Sequence, residues 1–200
     1  MKEATFATRV IAWQKRHGRH DLPWQNTRDL YRIWLSEIML QQTQVATVIP
    51  YYARFLEKFP TLVDLARASE DEVLALWSGL GYYSRGRNLL RAAHLAVEKF
   101  GGEFPREFDD ILALPGIGQS TAAAISAFAF GERRAILDGN VKRIFARHFG
   151  IAGFYGEKKV EAKLWHVAND ALPKKNIEPY TQGLMDLGAT VCLRSRPLCL

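Results

Sequence analysis

Glu37 lies inside the otherwise apolar run Ile33-Trp34-Leu35-Ser36-Glu37-Ile38-Met39-Leu40, and Asp138 lies in the turn Ile136-Leu137-Asp138-Gly139-Asn140. On a helix, Glu37 shares its face with Ile33 and Trp34 on one side and with Leu40 and Gln41 on the other. A carboxyl group in such company is desolvated, which disfavours its charged form and suits it to proton donation. Taken alone, it could instead pair with Arg32 at the helix edge. Asp138 also has a plain structural use, as the cap of a helix opening at Val141. An acid and a second carboxylate are nevertheless what glycosidic bond cleavage requires.

Between them runs Leu114-Pro115-Gly116-Ile117-Gly118-Gln119, followed by the small residues Ser120, Thr121, Ala122, Ala123 and Ala124. Pro115 fixes φ, while Gly116 and Gly118 permit positive φ and leave no side chain before an approaching ligand. Backbone N–H groups at the start of the helix from Gln119 then favour an anion such as phosphate. An ordinary helix–helix turn also favours Pro and Gly. The apolar Leu114 and Ile117, with the small residues that follow, fit a closely packed hairpin. A phosphate-binding hairpin between two chemically placed carboxylates points to an enzyme that cuts a glycosidic bond in DNA.

Helical periodicity dominates the elements that position these groups, and strand alternation is nearly absent. A first helix around Phe6, Val10, Trp13 and Gln14 stops near Gly18, and a long one spans 28–47. Pro50 interrupts the pattern before a helix over 51–59, and further helices cover 61–66, 70–77, 84–100 and 108–112. The remainder are expected over 119–130, 141–149, 157–171 and 179–189. The expectation is an all-α protein with short, Gly- and Pro-punctuated connections. The 200 residues suffice for one domain or two intimately packed lobes. A formal charge of +6 favours an anionic partner. No apolar run is long enough to span a bilayer, and the start lacks a signal peptide's apolar stretch, so a cytoplasmic protein is expected.

The hairpin and Leu137-Asp138-Gly139-Asn140-Val141 together resemble the helix-hairpin-helix glycosylase superfamily. The segments Trp34-Leu35-Ser36-Glu37-Ile38-Met39-Leu40-Gln41-Gln42-Thr43-Gln44-Val45 and Gly79-Leu80-Gly81-Tyr82-Tyr83-Ser84-Arg85 resemble the adenine DNA glycosylase (MutY) family over essentially the whole chain. That resemblance implies a two-lobed helix-hairpin-helix fold with its active site in the cleft between lobes. One lobe would cover about 28–136, and the second about 1–27 plus 137–200. It further implies that Glu37 protonates the departing adenine, Asp138 steadies the sugar cation and Asn140 orients Asp138. Relatives that nick the strand carry Lys where this chain has Ser120, so a monofunctional enzyme is expected. Gln42 and Tyr82 resemble the family's intercalating residues, needed because the target base must leave the duplex. Trp24, Gln25, Leu40, Val45, Gln182 and Met185 would form the adenine pocket. Arg85, Lys142 and Arg143, with the hairpin residues 114–119, would contact the DNA backbone.

Cys192-x6-Cys199 resembles the first half of the family's Cys-x6-Cys-x2-Cys-x5-Cys loop, which holds a [4Fe–4S] cluster. Two thiols are half of the four ligands, so the chain is expected to be truncated within that loop and its cluster absent or incomplete. The implied partner is double-stranded DNA carrying adenine opposite 8-oxoguanine or guanine, bound by a monomer. Rival readings are a related glycosylase for thymine mismatches or oxidised pyrimidines, and a module that only tethers DNA.

Overall fold

The computed structural model describes residues 5–198, and these form eleven helices with no strand among them. In chain order they are α1 (Phe6–His17), α2 (Leu30–Leu40), α3 (Val45–Lys58), α4 (Leu62–Ala66), α5 (Glu70–Trp77) and α6 (Ser84–Phe100). Then follow α7 (Phe108–Leu112), α8 (Gln119–Phe130), α9 (Gly139–His148), α10 (Lys158–Asp170) and α11 (Ile177–Thr190). The all-α expectation holds. No helix of the described residues is long and apolar enough to cross a membrane.

The chain divides into two compact units, Asp21–Ile125 and Met1–His20 with Ser126–Leu200, the division falling within α8. The first of these units begins at residue 21. Trp24 is buried with its ring edge-on to Tyr52 of α3, centroids 5.4 Å apart, and this draws the segment before α2 into that unit.

Within Asp21–Ile125, α2 contributes Ile33, Trp34, Leu35, Ile38 and Met39 to the core, which makes it apolar almost all round. Phe55 of α3 meets Trp77 of α5 edge-on at 6.1 Å, and Gly86 of α6 lies against the same indole. Two expectations fail here for physical reasons. The helix placed over 28–47 is two helices, because the chain turns at Gln41, Gln42 and Thr43, where Gln42 takes φ +56°. Pro50 does not end a helix. It sits on the exposed side of α3, where the missing N–H forfeits one hydrogen bond while the flanking residues pack.

In the other unit α11 packs against α1 and α9, around Val10, Phe145, Tyr180 and Leu184. Phe6 closes one end, 5.7 Å from Phe145 and 5.4 Å from Phe149. Close approach of α11 to α9 depends on Gly188, where an added Cβ would stand 2.4 Å from the Asn140 Cβ. Gly188→Ala should therefore destabilise the fold by about 1–3 kcal/mol, the usual cost of overpacking a tight contact. Urea unfolding measures this, and an unchanged midpoint would show that the helices part without penalty.

Candidate functional site

Glu37 occupies the last turn of α2 and is half-buried, with Ile33, Trp34, Ser36, Ile38 and Met39 buried around it. Arg32 pairs with Asp29 at 3.6 Å, on the first turn of the same helix. Asp29 also caps that helix, its carboxylate accepting from the N–H groups of Tyr31 and Arg32. The helix thus carries an exposed ion pair at its start and a carboxyl among apolar residues at its end.

Next to Glu37, the turn after α2 connects to the hairpin. The Gln41 side-chain amide donates to the Gly116 carbonyl and to Thr121 Oγ1, each at 3.3 Å. In the hairpin, Leu114 and Ile117 are buried, and the Ile117 N–H donates to the Leu114 carbonyl at 3.2 Å. Gly116 takes φ +81°, and a Cβ there would stand 2.8 Å from the Asn88 Cβ of α6, so only glycine fits on both counts. Gly118 differs from expectation: its φ is not positive, but it is exposed with open space where a Cβ would be. Its bareness serves close approach rather than backbone conformation. Gln119 is exposed and Ser120 half-buried in the first turn of α8, where N–H groups lack intrahelical acceptors.

Gln42 and Tyr82 are both exposed, Tyr82 by 59%, and both adopt left-handed backbone, Tyr82 with φ +48°. Leu40 and Val45, flanking the first of these turns, are half-buried. Arg85, grouped by sequence with backbone-contacting cations, is instead turned inward and 7% exposed. Its guanidinium donates to the carbonyls of Ile38, Met39, Gln41, Leu80 and Gly81 and to Thr43 Oγ1. Burial pulls its pKa down from the usual arginine value, opposed by Tyr82.

In the other unit Asp138 is itself the cap of α9, its Oδ1 accepting from the Val141 N–H at 2.8 Å. Burial pushes the carboxyl above the usual aspartate range, against the pull of the Val141 and Asn140 N–H groups and the charges of Arg143 and Lys142. Arg143 donates to Asn140 Oδ1 at 2.8 Å, to the Gly188 carbonyl at 2.6 Å and to the Cys192 carbonyl at 2.6 Å. It thereby fixes Asn140 and ties α9 to the end of α11. Lys142 pairs with Glu161 of α10.

Gln182 and Met185 are half-buried on α11, and the Gln182 amide donates to Asp186 Oδ1 at 2.9 Å. Asp186 is fully buried and takes a forked ion pair from Arg19 at 2.7 Å, with the Arg19 N–H on its other oxygen at 2.9 Å. The sequence reading missed this carboxylate. Its signal was of the same kind as that of Glu37: a lone acid within Gly183-Leu184-Met185-Asp186-Leu187-Gly188, four residues after Gln182. Trp24 and Gln25 belong to the segment before α2, where the Leu22 N–H donates to Gln25 Oε1 at 3.1 Å.

The Cys192 thiol is buried and accepts from Arg147 at 3.3 Å, whereas Cys199 lies outside the described residues. Among the described residues no three His, Cys, Asp or Glu side chains gather as a metal site. Two thiols fall short of the four a cubane takes, so these residues alone do not fit the cluster.

One unit thus carries a half-buried glutamate on α2 and a glycine-rich hairpin, and the other a capping aspartate that resists ionisation. The chain belongs to the HhH-GPD superfamily of base excision DNA repair proteins, whose model matches residues 35–170. It is 45% identical over 199 residues to the adenine DNA glycosylase of Buchnera aphidicola subsp. Acyrthosiphon pisum, covering all of this chain and 57% of that protein. The human adenine DNA glycosylase is 44% identical over 203 residues, covering 97% of this chain and 37% of that one. The chain thus spans little more than half the length of its bacterial relatives. Among solved structures, a thermostable thymine-DNA glycosylase superposes with TM-score 0.86 at 30% identity, covering 97% and 89% of the two chains. Endonuclease III trapped covalently on DNA shares the fold, with TM-score 0.80 at 20% identity over 96% and 86%.

Asparagine caps helices as well as aspartate does, so Asp138→Asn keeps the α9 cap while removing a half-buried ionisable group. A carboxyl whose pKa is raised by folding stabilises most below its unfolded value near 3.8, and that contribution is lost as pH rises through the folded value. Relative to Asp138→Asn, the wild type should lose stability across that interval and then remain lower by a constant amount. Parallel unfolding free energies from acid to neutral pH would contradict this placement of the carboxyl.

Proposed function

We propose that this chain is the catalytic part of a monofunctional adenine DNA glycosylase, acting on duplex DNA with adenine opposite 8-oxoguanine or guanine. The observation that carries the reading is 44–45% identity, across 97–100% of the chain, to proteins that bear that name. Glu37 gives its proton to N7 of the extruded adenine. The C1′–N9 bond then breaks with its electron pair passing to the base, which leaves neutral. Asp138, ionised, faces the positive sugar; a poorly solvated carboxylate is a stronger counter-charge than one in water. Water adds to C1′ and gives up its proton to the Glu37 carboxylate, which restores the acid. Asn140, held by Arg143, keeps the Asp138 turn in place.

Extrusion falls to Gln42 and Tyr82, exposed at the tips of their turns, and the hairpin N–H groups take a backbone phosphate. Leu40, Val45, Trp24, Gln25, Gln182 and Met185 remain the proposed base pocket. Such a protein acts as a monomer on DNA in the cytoplasm. The likeness to a thymine-DNA glycosylase supports a second reading, release of thymine from mismatches, on the same acid.

A panel of duplexes containing A·8-oxoguanine, A·G, T·G or an oxidised pyrimidine tests the reading under single-turnover conditions. Adenine should be released fastest. Glu37→Gln should lower that rate roughly 100- to 10,000-fold, the range for losing a general acid, while binding persists. Thymine release exceeding adenine release would establish the second reading, and binding without any base release would make the chain a tether.

With Ser120 rather than an amine in the first turn of α8, no Schiff base forms there. Borohydride reduction during turnover should yield no covalent protein–DNA adduct, and trapping at the rate of base release would overturn the monofunctional assignment.

A further inference from the structure

Gln42 and Tyr82 lie on separate turns, 41–44 and 78–83, yet both hold left-handed backbone that non-glycine residues rarely adopt. One buried side chain joins those turns. Arg85 Nη1 donates to the carbonyls of Ile38 at 3.1 Å, Met39 at 2.8 Å and Gln41 at 2.5 Å. Its Nη2 donates to Thr43 Oγ1 at 3.0 Å and to the carbonyls of Leu80 and Gly81, both at 3.2 Å. Gln41 and Thr43 flank Gln42, and Gly81 precedes Tyr82, whose ring centroid is 5.5 Å from Arg85 Cζ.

Nη1 caps the carbonyls at the negative end of α2, just past Glu37, while Nη2 bridges Thr43, beside Gln42, to the turn that presents Tyr82. A planar guanidinium can span both turns, whereas the single nitrogen of lysine carries the same charge but not the fork.

We propose that Arg85 is a positioning residue for base extrusion, holding the Gln42 and Tyr82 turns in one fixed relation to the acid-bearing end of α2. This rests on the glycosylase reading above. Arg85 touches no substrate in this role and acts through the two exposed side chains.

The experiment is a mutant cycle. Arg85→Lys and the milder Thr43→Val, which removes one acceptor without changing shape, are each made in wild type and in a Gln42→Ala, Tyr82→Ala background. Extrusion is read from the fluorescence of 2-aminopurine placed opposite 8-oxoguanine, and adenine release from single-turnover rates. In wild type, Arg85→Lys should lower both by about tenfold and Thr43→Val by about threefold; in the double-alanine background both losses should shrink to within about twofold. A merely structural role predicts equal fold-losses in both backgrounds and a fall in melting temperature that tracks them. Equal losses would overturn the proposal. Should Arg85→Lys not fold, the Thr43→Val cycle decides alone, by the same criterion. Wild type that neither extrudes nor releases the base overturns the glycosylase reading and this proposal together. Wild type that does both while the losses remain additive overturns this proposal only.

Discussion

A guanidinium withdrawn from water stays charged, so every acceptor around it becomes a geometric requirement. Arg85 meets that requirement mainly with main-chain carbonyls drawn from the end of α2 and from the turn after α5. The Ile38 and Met39 carbonyls lie in the last turn of α2, where a positive charge also complements the helix dipole. The same bonds end α2 at Leu40, release Gln41 to reach the hairpin, and set Gln42 on an exposed tip. The Glu37 helix, the hairpin and both exposed turns are thereby fastened around the first turns of α6. Asn88, one turn further along α6, completes the arrangement by occupying the space that Gly116 leaves open.

Three carboxylates show how surroundings divide one chemistry into different tasks. Asp186 is the most deeply buried and is fully engaged by Arg19 and Gln182, so its charge is spent on holding the start of the chain to α11. Asp138 has two nearby N–H groups and two cations in range, yet burial outweighs them and its carboxyl resists ionisation. A charge held against its preference is the kind that gains most when a cation arrives beside it. Glu37 is half-buried among apolar residues near the end of α2, whereas Arg32 pairs with Asp29 at the start of that helix.

The positions of most helices were legible because their apolar spacing and their Gly or Pro boundaries are local signals. The α6 helix, closed by Gly101 in left-handed conformation, and α5, opened by the Ser69 capping box, are examples. The errors came where a distant residue overrides local propensity. Nothing between 28 and 47 marks a break at Gln41, since the group that ends α2 is an arginine more than forty positions away. Pro50 reads as a breaker although an exposed second-turn proline forfeits only one bond. Glu37 and Asp138 were legible because polar residues in apolar surroundings stand out in sequence; Asp186 carries the same mark. The inward turn of Arg85 has no such mark, because an arginine beside two tyrosines looks the same whether it faces solvent or core.

Under the proposed function, that difference alters how the positive charge of the chain would bear on DNA. Counted by sequence, Arg85, Lys142 and Arg143 read as phosphate contacts, and Arg147 adds a further cation to α9. Each is committed to the protein: Arg85 and Arg143 to carbonyls, Lys142 to Glu161, and Arg147 to the Cys192 segment. Arg87, more exposed, pairs with Glu70 at 3.0 Å. Cations drawn into such bonds have fewer donors left for a phosphate, and the Arg85 N–H without a partner, Nε, is itself buried. The hairpin is different, because its donors are main-chain N–H groups made accessible by Gly116 and Gly118, and they carry only partial charge. Under the proposed function, affinity near the hairpin would draw more on oriented dipoles, and less on net charge, than the basic composition suggests. Dipoles of that kind fix where a phosphate sits, and hence which nucleotide is presented, whereas a diffuse excess of lysine and arginine would only hold the duplex nearby.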